Sequence, residues 1–348
     1  MLMDLRRYAS AASMASVGPL VDSFERRISY LRLSVTDRCN LRCVYCMSED
    51  MQFHSSPELL TIEELDRVAR LFIARGVRKL RITGGEPLVR KGVIELFRSL
   101  SSCLRDGSLH ELTLTTNGLR LAHFAQDLAA AGVRRVNVSL DTLDPQRFAQ
   151  ITRGGALEKV LEGIEAAQDA GIAVKLNAVA LRGVTDLEIH ELIGFAHGSG
   201  MTLTLIETMP MGETGFDRTE QFLGLDALRR EIGRRWTLSD VTDRSGGPAR
   251  YAKVEQTGGL IGFITPLTAH FCGDCNRVRV TAAGTLYTCL GHENGVDLRE
   301  LLRGPMSEAR VHEAIGNAVE HKPKGHDFSL QGRILPVKLV RHMSATGG

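Results

Sequence analysis

The chain has 348 residues, of which 43% are hydrophobic and 24% are charged, and its formal net charge is +2. This composition predicts a folded protein with a sizeable core and excludes a mostly disordered chain. The low net charge argues against a nucleic-acid partner. No apolar run approaches the roughly 20 residues that a bilayer-spanning helix needs, so no membrane partner is expected either.

Residues 1–22 are expected to form a loose N-terminal extension. Arg6 and Arg7, with several Ala and Ser residues, give this segment a faint likeness to an organelle transit segment. Asp4 and Asp22 weigh against that interpretation, and no secretory signal is recognised. We therefore expect the folded chain to begin after this segment.

A strand, a polar or Gly-rich loop and then a helix follow one another six times along the chain. The predicted strands are Leu31–Thr36, Lys79–Thr83, Glu111–Thr116, Arg135–Leu140, Ala173–Ala180 and Thr202–Glu207. The predicted helical stretches are Thr61–Gly76, Leu119–Gly132, Ala156–Gly171 and Thr185–Gly198. Repeated βα units predict a parallel sheet, and six units are two short of a closed eightfold barrel. The predicted fold class is therefore α/β, with a partial (β/α)6 TIM-like barrel.

Apolar and polar residues alternate within these strands. Because successive side chains point to opposite faces of a strand, one face of the sheet is aliphatic and the other is polar. The polar face then lines the interior and carries four cations, Arg32, Lys79, Arg81 and Lys175, with few inward acids such as Asp141. Unpaired buried cations are costly, so we expect a cavity with a positive wall that binds a polyanion. Solvation at strand ends remains an alternative for one or two of them.

Six of the seven cysteines form two groups of three. The groups are Cys39, Cys43 and Cys46, and Cys272, Cys275 and Cys289. Cysteine thiolate is the usual ligand of a [4Fe–4S] cubane, and three thiolates leave one of its four irons open. Two groups therefore predict two clusters, each with an open iron.

Other uses of the cysteines are weighed against this prediction. A zinc site completed by His270 or His292 remains an alternative for the second group. A disulfide framework is disfavoured by the length and the odd cysteine count, and reduced cysteines predict a cytoplasmic location. Cys103 is expected to be a small buried residue near a helix end.

Three loops that follow successive strands carry motifs, at the edge where such folds place their chemistry. The first cysteine group follows the first strand, Gly84-Gly85-Glu86-Pro87 follows the second, and Thr115-Thr116-Asn117-Gly118 follows the third. We expect the two glycines to let the backbone come close to a ligand.

The first cysteine group, with Tyr45 before its last cysteine and the Gly-Gly-Glu-Pro motif one strand later, resembles the radical S-adenosylmethionine (SAM) superfamily. The segments around Arg32, Arg81 and Asn137 are similar to those of the GTP 3′,8-cyclase family, which catalyses the first step of molybdenum cofactor biosynthesis. The segment 271–279 and the terminal Gly-Gly are similar as well. The resemblance spans roughly residues 25 to 348.

The resemblance implies a role for each matching residue. The first cysteine group would hold a [4Fe–4S] cluster that binds SAM, and the second group would hold one that meets the guanine of GTP. SAM contacts are implied at Tyr45, Gly85, Ser139 and Met209. GTP contacts are implied at Arg32, Arg81, Thr115, Lys175, Arg277, Val278 and Arg279, of which Arg32, Arg81 and Lys175 form the catalytic set.

The resemblance also implies the domain organisation and the partners. A core barrel over residues 23–245 would be followed by a smaller α+β domain, residues 246–348, over the barrel mouth. The Gly347-Gly348 tail is expected to thread into the cavity, since only glycine fits a close backbone approach, and an ordinary frayed chain end is the alternative. Implied partners are GTP, an unidentified electron donor, the next enzyme of the pathway and a second copy of the chain in a homodimer.

Two positions depart from the family pattern: Thr204 stands where an arginine is usual, and Ser48 stands where a proline is usual. A diverged paralogue that binds nucleotide or metal with little turnover therefore remains an alternative. A second alternative is another radical SAM enzyme with an auxiliary cluster.

Overall fold

The computed structural model describes residues 18–214, 218–242, 246–269, 271–304, 308–326, 328 and 339–347. Residues 1–17 of the expected extension, His270 and Gly348 lie outside these ranges. Within them, no helix is both long and apolar enough to cross a membrane.

The strands are β1 (Tyr30–Ser34), β2 (Lys79–Thr83), β3 (Glu111–Thr116), β4 (Arg135–Ser139), β5 (Ala173–Ala180), β6 (Thr202–Glu207), β7 (Leu238–Val241), β8 (Arg250–Val254), β9 (Leu260–Ile264), β10 (Arg277–Val280), β11 (Thr285–Tyr287) and β12 (Gly295–Asp297). The predicted bounds of β2, β3, β5 and β6 are confirmed. β1 begins one residue earlier than predicted, at Tyr30.

The helices are α1 (Ile62–Ala74), α2 (Val93–Arg105), α3 (Leu121–Ala130), α4 (Pro145–Thr152), α5 (Leu157–Asp169), α6 (Thr185–Gly198), α7 (Arg218–Gln221), α8 (Leu225–Ile232), α9 (Leu298–Arg303), α10 (Glu308–Glu320) and α11 (Met343–Thr346). Short 3-10 helices lie at Ser56–Glu58 and Pro87–Val89. Cys103 is buried near the end of α2, as predicted.

The twelve strands within the described ranges belong to one sheet, in the order β12-β11-β10-β1-β2-β3-β4-β5-β6-β9-β8-β7. β1 to β6 are parallel and adjacent in chain order. The partial barrel is therefore confirmed. Strands from the C-terminal region extend both of its sides, since β10 pairs in parallel with β1 and β9 with β6. The predicted division at residue 246 stays a prediction.

The aliphatic face of the sheet packs on the helices as the alternation predicted. Leu33 of β1 and Ile82 of β2 are fully buried in one cluster with Phe72 of α1. Each such side chain contributes about 2 kcal/mol by leaving water. α1 begins with a capping box, in which the Thr61 hydroxyl accepts from the Glu64 amide and the Glu64 carboxylate accepts from the Thr61 amide.

The described part of the expected extension is not loose. Leu20 is 1% exposed and its amide donates to the carbonyl of Arg75 at 3.1 Å. Asp22 is also buried and forms an ion pair with Arg26 at 2.6 Å. The prediction of a loose segment is therefore wrong for residues 18–22, because an apolar anchor and a buried ion pair fix them to the folded chain.

Candidate active site

Four arginines line the inner face of the sheet at neighbouring strands. In the register of the sheet, Arg32 lies between Arg279 and Arg81. Arg277 shares the face of Arg279, two residues along β10, as predicted. Val278 lies between them and is buried in the apolar core on the other face. Its predicted contact with GTP could therefore involve only its backbone.

Lys79 has an acidic partner on the inner face. Its Nζ lies 2.8 Å from Glu111 Oε2, and Arg135 also forms an ion pair with Glu111. The expectation that Lys79 would lack an acidic partner is therefore wrong. Glu111 and Arg135 occupy the inward positions of β3 and β4, so the same alternation could have found them.

Tyr30 is a further inward residue that was missed, because the first strand begins one residue earlier than predicted. The cationic groups of Lys79 and Arg81 lie 5.1 and 5.7 Å from the centre of its ring. Burial acts to raise the pKa of Tyr30, but Arg81 and the neighbouring cations lower it overall. The environment of this phenol is thus strongly positive.

The cations of the inner face lack enough negative charge. Burial and Arg279 lower the pKa of Arg32 well below its usual value, and burial with Arg277 lowers that of Arg279 to about 10. Burial, with Arg81 nearby, lowers the pKa of Lys175 to about 7. Arg81, Arg277 and Arg279 form no ion pair with any acid in the described ranges. A bound polyanion would restore the charged forms.

Several buried polar atoms on the same face also lack partners. Arg81 Nε, Thr115 Oγ1, Asn137 Oδ1 and Thr204 Oγ1 have no hydrogen-bond partner among the residues that the structure describes. Buried polar groups are normally satisfied. Donors and acceptors are both present, so the face fits a ligand that is polar as well as anionic.

Tyr251 joins this face from the C-terminal region. Lys175 Nζ donates to the Tyr251 hydroxyl at 2.5 Å and lies 4.9 Å from the centre of its ring. In the register of the sheet, Tyr251 lies beside Gly262, and Gly262 lies beside Thr204. The sequence carried no signal for this contact, because it depends on β9 pairing with β6.

The C-terminal tail reaches the same face. The Gly347 carbonyl accepts from Arg32 Nη2 and from Arg279 Nη1, each at 3.3 Å. Gly347 has a φ of 75°, and a Cβ there would lie 2.2 Å from Thr83 Cγ2. Only glycine fits this approach. The threading predicted for the tail is confirmed for Gly347, while Gly348 lies outside the described residues.

A cavity lies at the carboxyl ends of the parallel strands. Its lining includes Cys39, Cys43, Cys46 and the four residues predicted to contact SAM, Tyr45, Gly85, Ser139 and Met209. The Tyr45 hydroxyl donates to Asp141 Oδ2 at 2.7 Å, and Asp141 Oδ1 accepts from the Val179 amide at 2.8 Å. Burial raises the pKa of Asp141 to about 6. Asp141 thereby fixes the tyrosine of the cysteine loop to the barrel.

The two glycines of the Gly-Gly-Glu-Pro motif approach a neighbouring loop. A Cβ at Gly84 would lie 2.4 Å from the Thr36 carbonyl oxygen, and one at Gly85 would lie 2.3 Å from that of Arg38. The expectation that the glycines serve close approach to a ligand is thus only part of the account. They let β2 support the loop that leads into Cys39.

Glu86 of this motif connects two loops of the cavity. Its carboxylate accepts from Thr116 Oγ1 at 2.8 Å and from the Asn117 amide at 2.6 Å. Burial nevertheless raises the pKa of Glu86 to about 7. Asn117 in turn places its side-chain nitrogen 3.7 Å from Cys39 Sγ. The second and third motifs therefore jointly support the first cysteine group.

The thiols of this group are half-buried. Burial raises the pKa of Cys39 to about 11 and that of Cys43 well above its usual value. Metal binding to such thiols displaces their protons. No three His, Cys, Asp or Glu side chains in the described ranges are gathered closely enough to ligate one metal ion. In a cubane, by contrast, each cysteine binds a different iron.

The second cysteine group lies at the opposite edge of the strands. β10 is parallel to β1, with Arg277 beside Tyr30. Cys275 therefore precedes β10 at the amino edge, whereas Cys39 follows β1 at the carboxyl edge. β11 is antiparallel to β10, so Cys289 also lies near the amino edge. The arginines of the inner face lie between the two groups.

Charges beside the second group act on its thiols unequally. Burial acts to raise the pKa of the Cys275 thiol, but Arg277 and Lys322 outweigh it and lower the pKa to about 7. Burial raises the pKa of Cys289. His292 Nε2 donates to the Gly325 carbonyl at 3.0 Å, so this nitrogen is already engaged.

Comparison with known proteins decides the family. Residues 33–196 match the family model of the radical SAM superfamily, and residues 201–328 match that of Molybdenum Cofactor Synthesis C. The chain is 59% identical over 329 residues to a GTP 3′,8-cyclase of Nitrobacter hamburgensis, covering 94% of this chain and 96% of the relative. The chain belongs to the GTP 3′,8-cyclase family. A family member of Brucella canis is 55% identical over 344 residues, covering 99% of this chain and all of the relative.

Solved structures show how general the fold of this GTP 3′,8-cyclase family member is. SuiB of Streptococcus suis bound to S-adenosylmethionine matches with a TM-score of 0.58 at 16% identity, covering 81% of this chain and 67% of SuiB. SuiB bound to its precursor peptide SuiA matches with a TM-score of 0.60 at 14% identity, covering 88% and 73%. At these identities the likeness concerns the fold alone.

Membership of the GTP 3′,8-cyclase family confirms the prediction that SAM and [4Fe–4S] clusters are the cofactors. The two cysteine groups fit this chemistry, since each offers three half-buried thiols and no described fourth cysteine accompanies either. The role of each site residue stays a prediction.

Proposed function

We propose that the chain converts GTP into 3′,8-cyclo-7,8-dihydro-GTP, the first step of molybdenum cofactor biosynthesis. The observation that carries the proposal is the convergence of five cations on one inner face between two cysteine groups. These cations are Arg32, Arg81, Lys175, Arg277 and Arg279. A triphosphate supplies the anion that this face lacks, and the relatives' names identify GTP.

The cofactors would be held at the two ends of the inner face. Cys39, Cys43 and Cys46 would carry the cluster that binds SAM, and Cys272, Cys275 and Cys289 would carry the second cluster. When bound, these groups supply one-electron reduction of SAM and radical abstraction of hydrogen from the substrate.

The chain's own residues bind and orient the substrate. Arg32, Arg81 and Arg279 form a row that can donate to phosphate oxygens. The Gly347 carbonyl holds two of these guanidinium groups in place through hydrogen bonds. The Tyr251 hydroxyl holds the Lys175 ammonium. Arg32 and Lys175 are buried on this face, which limits the access of water to the reaction.

The test is anaerobic reconstitution followed by incubation with SAM, a reductant and GTP. We expect about eight irons per chain, which is two cubanes, with formation of 5′-deoxyadenosine and consumption of GTP. Two clusters with SAM cleavage but no GTP consumption would contradict the proposed substrate. Zinc in place of iron at the second group would contradict the second cluster.

Binding of GTP is expected to take up a proton at Lys175. Its pKa of about 7 leaves the free amine mostly uncharged at pH 8.5, and a bound triphosphate favours the ammonium form. Calorimetry in buffers of different ionisation enthalpy should therefore show uptake of about one proton at pH 8.5 and little at pH 6. Lys175→Met should abolish the difference in proton uptake between pH 8.5 and pH 6. Lys91→Met, at an exposed position, should retain this difference. Equal uptake in both variants would contradict this assignment.

The substitution Thr204→Arg tests whether the pocket has diverged. Thr204 is fully buried on the inner face and its hydroxyl has no partner in the described ranges. An added arginine supplies one more contact to phosphate, so we expect the rate of cyclisation to stay unchanged or to rise. Thr204→Val, which adds no charge, is the control. A steep loss with arginine would show that the pocket is built around threonine. A rise from near zero would favour a paralogue with little turnover.

Other family features complete the proposal. We propose that the chain acts in the cytoplasm, as a homodimer, with an external electron donor and a following enzyme that takes up the product. The supporting observations are the reduced cysteines and the family membership.

A further inference from the structure

Lys322 is a buried cation beside the second cysteine group. It lies two residues beyond the end of α10 and is 2% exposed. Its Nζ donates to the carbonyl oxygens of Arg277, at 3.1 Å, and of Thr288. Arg277 lies two residues after Cys275, and Thr288 immediately precedes Cys289. One ammonium group therefore connects the backbone beside two of the three cysteines.

The ammonium of Lys322 has no carboxylate partner among the residues that the structure describes. Two neutral carbonyl groups satisfy its hydrogen bonds only in part, and a buried charge without a counter-charge is costly. Its Nζ bonds the backbone beside Cys275 and Cys289, so a cluster carried by these cysteines would be the anion next to it. Lys322 is thus a buried cation whose counter-anion is not supplied by any acidic side chain that the structure describes.

The segment that carries Lys322 is held rigidly to the same cysteine loop. Arg26 Nη1 donates to the carbonyls of Cys272, at 2.8 Å, and of Lys324, at 2.7 Å. Arg26 Nη2 donates to the carbonyl of Pro323, also at 2.7 Å. Burial and these bonds fix the distance between the ammonium and the cysteines. Because this distance is constant, the electrostatic effect of the ammonium on the cysteine group is constant as well.

We propose that Lys322 is the fixed counter-charge of the second cluster and raises its reduction potential. The inference rests on the proposed function only in that this group carries a [4Fe–4S] cluster. When the cluster accepts one electron from an external reductant, its net charge becomes more negative by one. A fixed cation stabilises that reduced form more than the oxidised form. Net charge is one of the factors that set cluster potentials.

The test compares Lys322→Gln and Lys322→Arg in the full-length protein with both clusters loaded. Glutamine can still donate to a carbonyl but has no charge, whereas arginine retains the charge. Each cluster is titrated with a reductant and followed by electron paramagnetic resonance. Its signal is assigned by its loss in Cys43→Ala or Cys289→Ala. The first cluster is an internal control because it lies at the other edge of the strands.

We expect Lys322→Gln to shift the reduction equilibrium of the second cluster at least about tenfold toward the oxidised form, about 59 mV for one electron. The reduction potential of the first cluster should not change in either variant. In the Lys322→Arg protein, the potential of the second cluster should also stay unchanged. An unchanged potential of the second cluster in Lys322→Gln, with full iron, would overturn the proposal. Lys322 would then serve only as a contact to the backbone. If the glutamine variant loads no second cluster, normal loading and potential in the arginine variant support the proposal, and failure of both variants overturns it.

Failure of the proposed function has a different outcome. Wild-type protein with two clusters but no GTP turnover would refute the cyclase activity and leave the role of Lys322 intact. Wild-type protein without a second cluster would refute both.

Discussion

Replacing Cys289 with alanine is expected to abolish GTP cyclisation and to remove about half of the bound iron. The reason is that a cubane carried by three thiolates loses a required ligand, while the first group at the other edge of the strands is unaffected. Cleavage of SAM without cyclisation should therefore persist. Iron analysis, product analysis and the yield of 5′-deoxyadenosine measure the three effects separately.

Two further variants control this result. Cys43→Ala should also remove about half of the iron, but SAM cleavage should be lost with it. Cys103→Ala should retain full iron and activity, because Cys103 is buried in the apolar core beside α1 and belongs to neither group. Full iron in Cys289→Ala would show that this residue is not a cluster ligand.

Substitution of Gly347 by alanine is expected to lower kcat/KM for GTP by more than about tenfold. The new Cβ would lie 2.2 Å from Thr83 Cγ2, so the tail must move. The Gly347 carbonyl would then leave the guanidinium groups of Arg32 and Arg279, which it accepts from at 3.3 Å. These arginines would lose their fixed orientation toward the phosphates.

Gly171→Ala is a matched control for this substitution. Gly171 has the same φ of 75°, and a Cβ there has nothing within 4 Å. Both variants place an alanine at a positive φ, but only the tail variant has a clash, and its ψ of 130° lies outside the left-handed helical region. Equal activity of the two proteins, at equal thermal stability, would show that the seated tail is not needed for catalysis.

Much of the barrel could be predicted from the sequence, because the strands repeat one local pattern. The alternation of Leu80 and Ile82 with Lys79 and Arg81 determines both the strand and its inward face. The first cysteine group could also be predicted, since it is contiguous. Local signals of this kind need no knowledge of distant contacts.

Contacts between distant parts of the chain could not be predicted. Tyr251 reaches Lys175 only because β8 and β9 join the sheet beside β6. Lys322 reaches the second cysteine group only through the fold of the C-terminal region. Neither residue stands in a motif, and the pairing that brings each to its partner is not encoded within a few residues.

The pairing of β10 with β1 determines the order in which the protein can be completed. Asn276 Nδ2 bonds Ser29 Oγ across 247 positions of sequence. During synthesis on the ribosome, the outer side of β1 stays uncovered until most of the polypeptide has emerged. An uncovered parallel strand edge is slow to mature and prone to self-association. Iron insertion at the second cysteine group must therefore be a late event in maturation, since Cys272, Cys275 and Cys289 are made after most of the polypeptide.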